Sequence, residues 1–231
     1  MLRVCVAGAL GRMGRVACRA LQESSDVTYV GGLARTRVPA EEIVDTLDEL
    51  FERKPDVLLD LTTHPSTVIV SMQAVAHGVR PVIGATGWNS NETAALDANA
   101  RERGIGAMLV PNFSIGAMLM MHFARTAARF FPSIEIVELH HDRKLDAPSG
   151  TSRLTAERIS EGGGPKHVPI HSVRMRGLVA HQEVLLGNEG ELLTIRHDSL
   201  SRESFVPGML TAVKAVMDVR GLVVGLDHVV G

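Results

Sequence analysis

The sequence predicts an α/β protein in two parts: an N-terminal parallel sheet covered by helices, and a smaller α+β part with a mainly antiparallel or mixed sheet. Two observations carry this. Short β-branched apolar runs alternate with helical patterns as far as Val110, which implies βαβ units. After Pro111 the rhythm changes, and strand patterns dominate with one helix among them.

In the first half, Leu2–Val6, Val27–Leu33, Val57–Leu61, Pro81–Ile83 and Ala107–Val110 read as buried strands. Arg12–Glu23, Glu41–Arg53, Ser66–His77 and Asn91–Arg103 read as helices between them. In Glu41–Arg53 the residues Ile43, Val44, Leu47, Leu50 and Phe51 fall on one helical face. A second domain begins near residue 112 with a long apolar helix, Ile115–Phe131, whose Met118, Met120 and Met121 read as core or interface filling. Strands follow at Ile134–His141, Ile170–Arg176, Glu183–Leu186 and Leu192–His197, with a helix at Ser152–Ser160. Gly162–Gly164 before Pro165 marks an exposed loop, and Phe205–Val219 is helical.

Composition narrows the function classes. The 231 residues are 45% hydrophobic and 22% charged, as in soluble globular proteins. A net charge of −2 gives no bulk attraction for nucleic acid or an anionic membrane, and 3% aromatic content argues against a base-stacking surface. Cys5 lies in an apolar run and Cys18 in a helical one; both read as small buried hydrophobes, which fits a reducing compartment. The Met-Leu-Arg start has no signal-peptide pattern and no apolar run approaches a bilayer span, so a cytoplasmic location is expected.

The first strand runs straight into Gly8-Ala9-Leu10-Gly11-Arg12-Met13-Gly14, and a helix follows. Glycines at such a turn let backbone N–H groups approach a pyrophosphate, and the helix N-terminus adds partial positive charge. The spacing is GxxGxxG rather than GxGxxG, so it is the placement in the first βαβ unit that predicts a Rossmann-type dinucleotide site. An ordinary glycine-rich turn is the competing reading. The acidic residue expected after the second strand is absent; that strand ends in Ala34-Arg35-Thr36-Arg37, and Asp26 lies before it. An arginine there suits a 2′-phosphate, so NADPH is expected to serve at least as well as NADH, with Arg35 the main contact. The alternative leaves Arg35 and Arg37 as solvated loop charges. Two further strand ends, Gly84-Ala85-Thr86-Gly87 and Val110-Pro111-Asn112-Phe113-Ser114, are expected beside the nicotinamide half.

The segment His140–Thr151 leaves a strand through two histidines, crosses a charged loop and enters a helix through Pro-Ser-Gly-Thr. Ser149 or Thr151 can cap that helix, its N–H groups make an anion site, and Lys144 adds a mobile positive charge. This suits a small carboxylated substrate with an imidazole to transfer a proton. A structural loop with a solvated His pair competes with that reading. Adjacent strand histidines point to opposite faces and no HExxH or CxxC spacing occurs, so no metal site is expected; a GxSxG nucleophile is also absent.

The stretch ELHHDRKLDAPSGTS, Glu138–Ser152, resembles the signature ExHHxxKxDAPSGT of the 4-hydroxy-tetrahydrodipicolinate reductase family, enzymes of diaminopimelate and lysine synthesis. GALGRMG, GATG and VPNFSIG resemble that family's cofactor motifs in the same order, and His181, Gly190-Glu191, His197 and Ser201-Arg202 also fit. The resemblance implies His140 as general acid/base and Lys144 as second proton donor, with His141, Gly150 and Thr151 holding substrate carboxylates. It implies cofactor contacts from Gly8, Ala9, Leu10, Gly11, Arg12 and Met13, from Gly84, Ala85 and Thr86, and from Val110, Pro111, Asn112 and Phe113. It further implies that residues 207–231 rejoin 1–112 in the dinucleotide-binding domain, that 113–206 form the substrate-binding and oligomerisation domain, and that the protein is a homotetramer. Departures concern the cofactor: Ala85 stands where threonine is frequent, Ala34 where many members have an acid, and the loop after Arg35 is short; Ala180 also replaces a common glycine before His181. An aspartate-semialdehyde-type dehydrogenase would need a cysteine nucleophile, and none follows Cys18. A non-catalytic NAD(P)H sensor would not be expected to keep His140 and Lys144.

Overall fold

The β-branched runs of the first half line up side by side as one all-parallel sheet in a computed structural model of the chain, which describes residues 1–227. Its elements are β1 (Leu2–Ala7), α1 (Arg12–Glu23), β2 (Val27–Leu33), β3 (Ile43–Val44), α2 (Leu47–Glu52), β4 (Val57–Asp60), α3 (Ser66–Ala76), β5 (Arg80–Ile83), α4 (Ser90–Glu102) and β6 (Gly106–Leu109). After these come α5 (Ile115–Ala127), β7 (Ser133–His140), α6 (Gly150–Glu161), β8 (Ile170–Arg174), β9 (Ala180–Asn188) and β10 (Glu191–Ser199). The chain then adds α7 (Val206–Ala215) and β11 (Gly221–Val224).

Two compact units result: Met1–Phe113 with Phe205–Gly231, and Ser114–Ser204. Residues 228–231 of the expected first domain lie outside the described residues. In the first unit the strand order is β11-β6-β5-β4-β1-β2-β3. The chain moves outward from β1 through β2 and β3, then restarts at β4 on the other side of β1. The boundary between β1 and β4 is therefore the switch point, where a doubly wound sheet opens a crevice at its carboxyl ends. Val4, Val6, Val57, Leu58, Leu59 and Met108 are wholly buried because helices cover both faces, which is why these strands read as continuous apolar runs.

Glu41–Arg53 corrects one sequence expectation. Pro39 opens a single 3-10 turn, Glu42 takes a left-handed φ of 58°, and Ile43–Val44 pair with Gly32 and Leu33 as edge strand β3 before the short α2. The expected apolar residues do turn inward, but Ile43 and Val44 do so from a strand. The open sheet edge offers a β-branched pair backbone partners that a helix would not, and Arg53 Nη1 closes the bend on the Glu42 carbonyl at 2.8 Å. The tail differs similarly. Its helix stops at Ala215, and Gly221 (φ 75°) starts a parallel strand beside β6 that apolar spacing alone did not reveal. The α5 helix ends at Ala127 in a 3-10 turn instead of running to Phe131, and Cys18 is only partly buried.

The second unit holds a four-stranded mixed sheet in the order β10-β9-β7-β8. β7 runs parallel to β8 and antiparallel to β9. Ile134, Ile136, Val184 and Leu186 pack against Met120, Ala124 and Ile159 from α5 and α6. Truncating a residue such as Ile136, fully buried here, costs about 2–5 kcal/mol in comparable cores.

Candidate active site

At the end of β1 the chain turns sharply at Gly8, where φ is +79° and a Cβ would meet the Leu61 carbonyl oxygen at 2.8 Å. The two strand ends at the switch point thus touch through backbone. Gly14 is tighter still: a Cβ there would fall 2.0 Å from the Gly8 carbonyl oxygen. These contacts draw α1 against the turn. Gly11 offers α1 no side-chain cap, and the first turn carries no acidic residue. Its N–H groups and partial positive charge are therefore available to an anion.

A groove of about 650 Å³ opens beside this turn, lined by Gly8, Leu10 and Gly11, by Ala34–Thr36, by Thr62, Thr63 and Ser66, and by Asp45 among others. Its size is within the usual range for small-ligand sites. The bare glycine cradle and uncapped helix start fit a dinucleotide phosphate. Arg35 is exposed on this groove, whereas Arg37 is tied to Asp45 at 2.9 Å and to Glu49. Gly84 lies under the Phe113 ring, so the β5 and β6 turns touch each other: a Cβ would sit 2.7 Å from Phe113 Cε2 and 2.9 Å from Leu61 Cδ2. Gly84–Thr86 and Val110–Phe113 are thus gathered at the neighbouring strand ends rather than on the groove wall itself.

Asp60, at the end of β4, escaped sequence reasoning. It is fully buried, and its oxygens accept hydrogen bonds from Thr62 N (2.9 Å), Thr62 Oγ1 (2.6 Å), Thr67 Oγ1 (2.8 Å) and Ser71 Oγ (3.1 Å). Burial pushes its carboxyl above the usual range, against the pull of those bonds. The network shapes the Thr62–Ser66 loop that lines the groove.

In the second unit the decisive pattern is on one face of β7. Ile134, Ile136, Glu138 and His140 alternate onto the side covered by α5 and α6, and on β9 the matching partners are Leu186, Val184, Gln182 and Ala180. The core face thus turns from isoleucine to Glu-His over its last two positions. Glu138 is fully buried. It receives Arg174 of β8 through two bonds, Nη1 to Oε2 at 2.9 Å and Nη2 to Oε1 at 2.7 Å. His140 Nδ1 bonds Glu138 Oε2. Burial works to raise the Glu138 carboxyl, but the bonds from Arg174, Ser172 and His140 outweigh it and hold it below its ordinary range. His140 is lowered, first by burial, with Glu138 pulling upward and the Lys144 and Arg174 charges pushing down. Removing one partner of such a buried pair costs about 3–5 kcal/mol.

Lys144 does not swing freely, because its ammonium pairs with Asp146 at 2.8 Å. Asp146 is half exposed, so the pair is weak and readily exchanged for another anion. The Lys144 ammonium holds the Asp146 carboxyl below its usual range. His141 lies just past the strand with its Nδ1 buried and without a partner among the described residues. The α6 cap is Ser149, whose Oγ accepts from Ser152 N at 3.1 Å. Gly150 and Thr151 form the helix's first turn, and a Cβ at Gly150 would meet nothing within 4 Å. Behind them, Ser152 Oγ donates to Gln182 Oε1 (2.8 Å), and Gln182 Nε2 donates to Thr155 Oγ1 (2.7 Å), which fixes the helix start to β9. Among the described residues no group of three or more His, Cys, Asp or Glu side chains is arranged to hold a metal ion.

Comparison with known proteins decides the family. The family models for the dihydrodipicolinate reductase N-terminus and C-terminus match residues 2–113 and 116–230. The chain belongs to the dihydrodipicolinate reductase family. It is 41% identical to the 4-hydroxy-tetrahydrodipicolinate reductase of Moorella thermoacetica over 98% of this chain and 97% of that protein. It is 43% identical to that of Geobacillus kaustophilus over 99% and 98%. A solved dihydrodipicolinate reductase from Paenisporosarcina sp. TG-14, bound to dipicolinate, superposes with a TM-score of 0.89 at 38% identity over the whole of both chains. Members of this family are NAD(P)H-dependent oxidoreductases of diaminopimelate and lysine synthesis, and this chain is an enzyme of that class, using NADH or NADPH. No helix among the described residues is long and apolar enough to cross a membrane.

Proposed function

We propose that this enzyme reduces 4-hydroxy-tetrahydrodipicolinate to tetrahydrodipicolinate, with acid-base chemistry at His140. The observation that carries this reading is the buried Glu138 bonded to His140 on the core face of β7: an ionisable pair in a position where packing alone calls for apolar residues.

When bound, the nicotinamide cofactor supplies a hydride. Backbone N–H groups of the Gly8–Met13 turn would hold the pyrophosphate, Arg35 would take a 2′-phosphate when one is present, and Gly84–Thr86 and Val110–Phe113 would stand beside the nicotinamide. In the second unit the N-terminal turn of α6 at Gly150 and Thr151 fixes one substrate carboxylate by N–H groups and helix charge. His141 contributes to the second carboxylate. Charge left on the ring by hydride addition is quenched by a proton from Nε2 of the His140 imidazolium, and Lys144, releasing Asp146, stands as the second donor. The dicarboxylate class is supported by the dipicolinate in the Paenisporosarcina relative.

The test is a coupled assay in which dihydrodipicolinate synthase supplies the unstable substrate and NAD(P)H absorbance is followed. Oxidation of NAD(P)H is expected, with His140→Ala and Lys144→Ala each lowering turnover on the order of 10²-fold. No oxidation with either cofactor would overturn the reaction, and near wild-type turnover in a variant would overturn that residue's role. A homotetramer is part of the same reading. It is supported by apolar side chains exposed on both edge strands of the second sheet, Leu192 and Leu193 on β10 and Val173 on β8. Sedimentation should give four times the 24.9 kDa chain mass; a monomer would refute it.

A further inference from the structure

We propose that Glu138 and Arg174 are positioning residues for His140: Glu138 fixes the imidazole with Nε2 as its reacting nitrogen, and Arg174 offsets the Glu138 charge while anchoring the loop that carries Lys144. The proposal rests on His140 being the acid of the reading above.

The geometry points this way in three steps. Glu138 faces two Arg174 nitrogens and is ionised, so it can only accept hydrogen bonds. His140 Nδ1 must then be the donor and keeps its proton in both charge states, so the proton gained or lost is the one on Nε2. Nε2 bears no hydrogen bond among the described residues and is the nitrogen left for substrate. Arg174 then does two things at once. Its guanidinium matches the Glu138 carboxylate at both oxygens, and Nη2 also donates to the Asp146 carbonyl at 2.7 Å. The Lys144–Asp146 loop and the His140 ring are therefore referred to one buried carboxylate. The register explains the convergence: His140 pairs with Arg174, and Glu138 with Ser172, across β7 and β8.

Charge decides how the three act together. A lone buried carboxylate beside an imidazole would hold it as imidazolium and suppress proton donation. Burial of the ring opposes that pull most, Lys144 from the loop next and Arg174 after it; β9 presents only uncharged Ala180 and Gln182 to this pair. Burial, Lys144 and Arg174 together leave His140 lowered in spite of Glu138. The sign for each variant follows. Removing the Glu138 charge lowers the His140 titration further, and removing Arg174 raises it.

The experiment is a ¹⁵N-histidine NMR titration of the full-length enzyme, with the His140 signal assigned by its loss in His140→Ala. Glu138→Gln, Arg174→Met and the double variant are compared with wild type, and each is also assayed for turnover. The double variant leaves no unpaired buried charge and serves where a single variant fails to fold. Arg174→Lys tests rescue, since it keeps the charge without the two-pronged contact. Glu138→Gln is expected to move the His140 midpoint down and Arg174→Met to move it up. Each should lower kcat about 10- to 100-fold while the NAD(P)H KM stays within about twofold, and Arg174→Lys should recover part of the loss. Unmoved His140 midpoints in the folded variants, or unchanged kcat, would overturn the proposal. If the midpoints move while His140→Ala itself turns over normally, the positioning stands and the acid role of His140 falls instead.

Discussion

The end of β1 and the end of β7 offer a ligand different material. At β1 the contacts are backbone: Gly8, Gly11 and Gly14 remove side chains so that N–H groups and a helix start can face the groove. At β7 they are side chains: Glu138, His140 and Arg174 converge across two strands at the end of a layer that is apolar at Ile134 and Ile136. A backbone site is set by consecutive residues and survives almost any neighbour that leaves room. The side-chain site depends on strand register, since one residue of slip would turn Glu138 and His140 to the opposite face. The difference teaches where each site is fragile: the first to added volume, the second to lost charge.

Gly14→Ala should break that comparison most sharply. A methyl 2.0 Å from the Gly8 carbonyl oxygen must displace the turn. Losing two charge-assisted N–H contacts to phosphate would weaken NAD(P)H binding on the order of 10²-fold or more. Fluorescence titration with NADPH checks it, and affinity within twofold of wild type would show that the turn does not hold the pyrophosphate. The β7 variants above come next in size, because they act on turnover and should leave cofactor affinity alone. Arg35→Ala should have the smallest effect, raising the KM for NADPH by about tenfold and that for NADH by much less, as an exposed cation against a 2′-phosphate would. Equal changes with both cofactors would assign Arg35 to the solvated surface.

Much of the first region was legible because its determinants are local. The apolar runs, the turn glycines and the βα spacing lie within a few residues of one another, and the strands formed where they were expected. Ile43–Val44 and Gly221–Val224 were not legible as strands, since each is too short to show a period and pairs only because a sheet edge lies beside it. In the second region the histidines, Lys144 and the helix cap stood out as residue types. Glu138 carried a readable signal in Ile134-x-Ile136-x-Glu138-x-His140, a charge entering the core-facing alternation. Arg174 had none, because it lies thirty-six positions from Glu138 and is joined to it only by the β7–β8 pairing. Asp60 was hidden in an apolar strand ending, and its role depends on hydroxyls from the next helix.

The amino-acid sequence by itself determined the two-part α/β architecture, the glycine turn after β1 and which residue types stand at His140, Lys144 and the α6 start. These follow from periodicity, glycine conformation and capping, all short-range physics. Tertiary structure alone decided that Arg37 is spent on Asp45 and Glu49 while Arg35 faces the groove, and that Lys144 rests on Asp146. It also decided that His140 is oriented by a buried carboxylate with its own arginine. The reason is that a side chain's charge partner is chosen by which strands lie side by side, and that choice is made only when the sheet assembles.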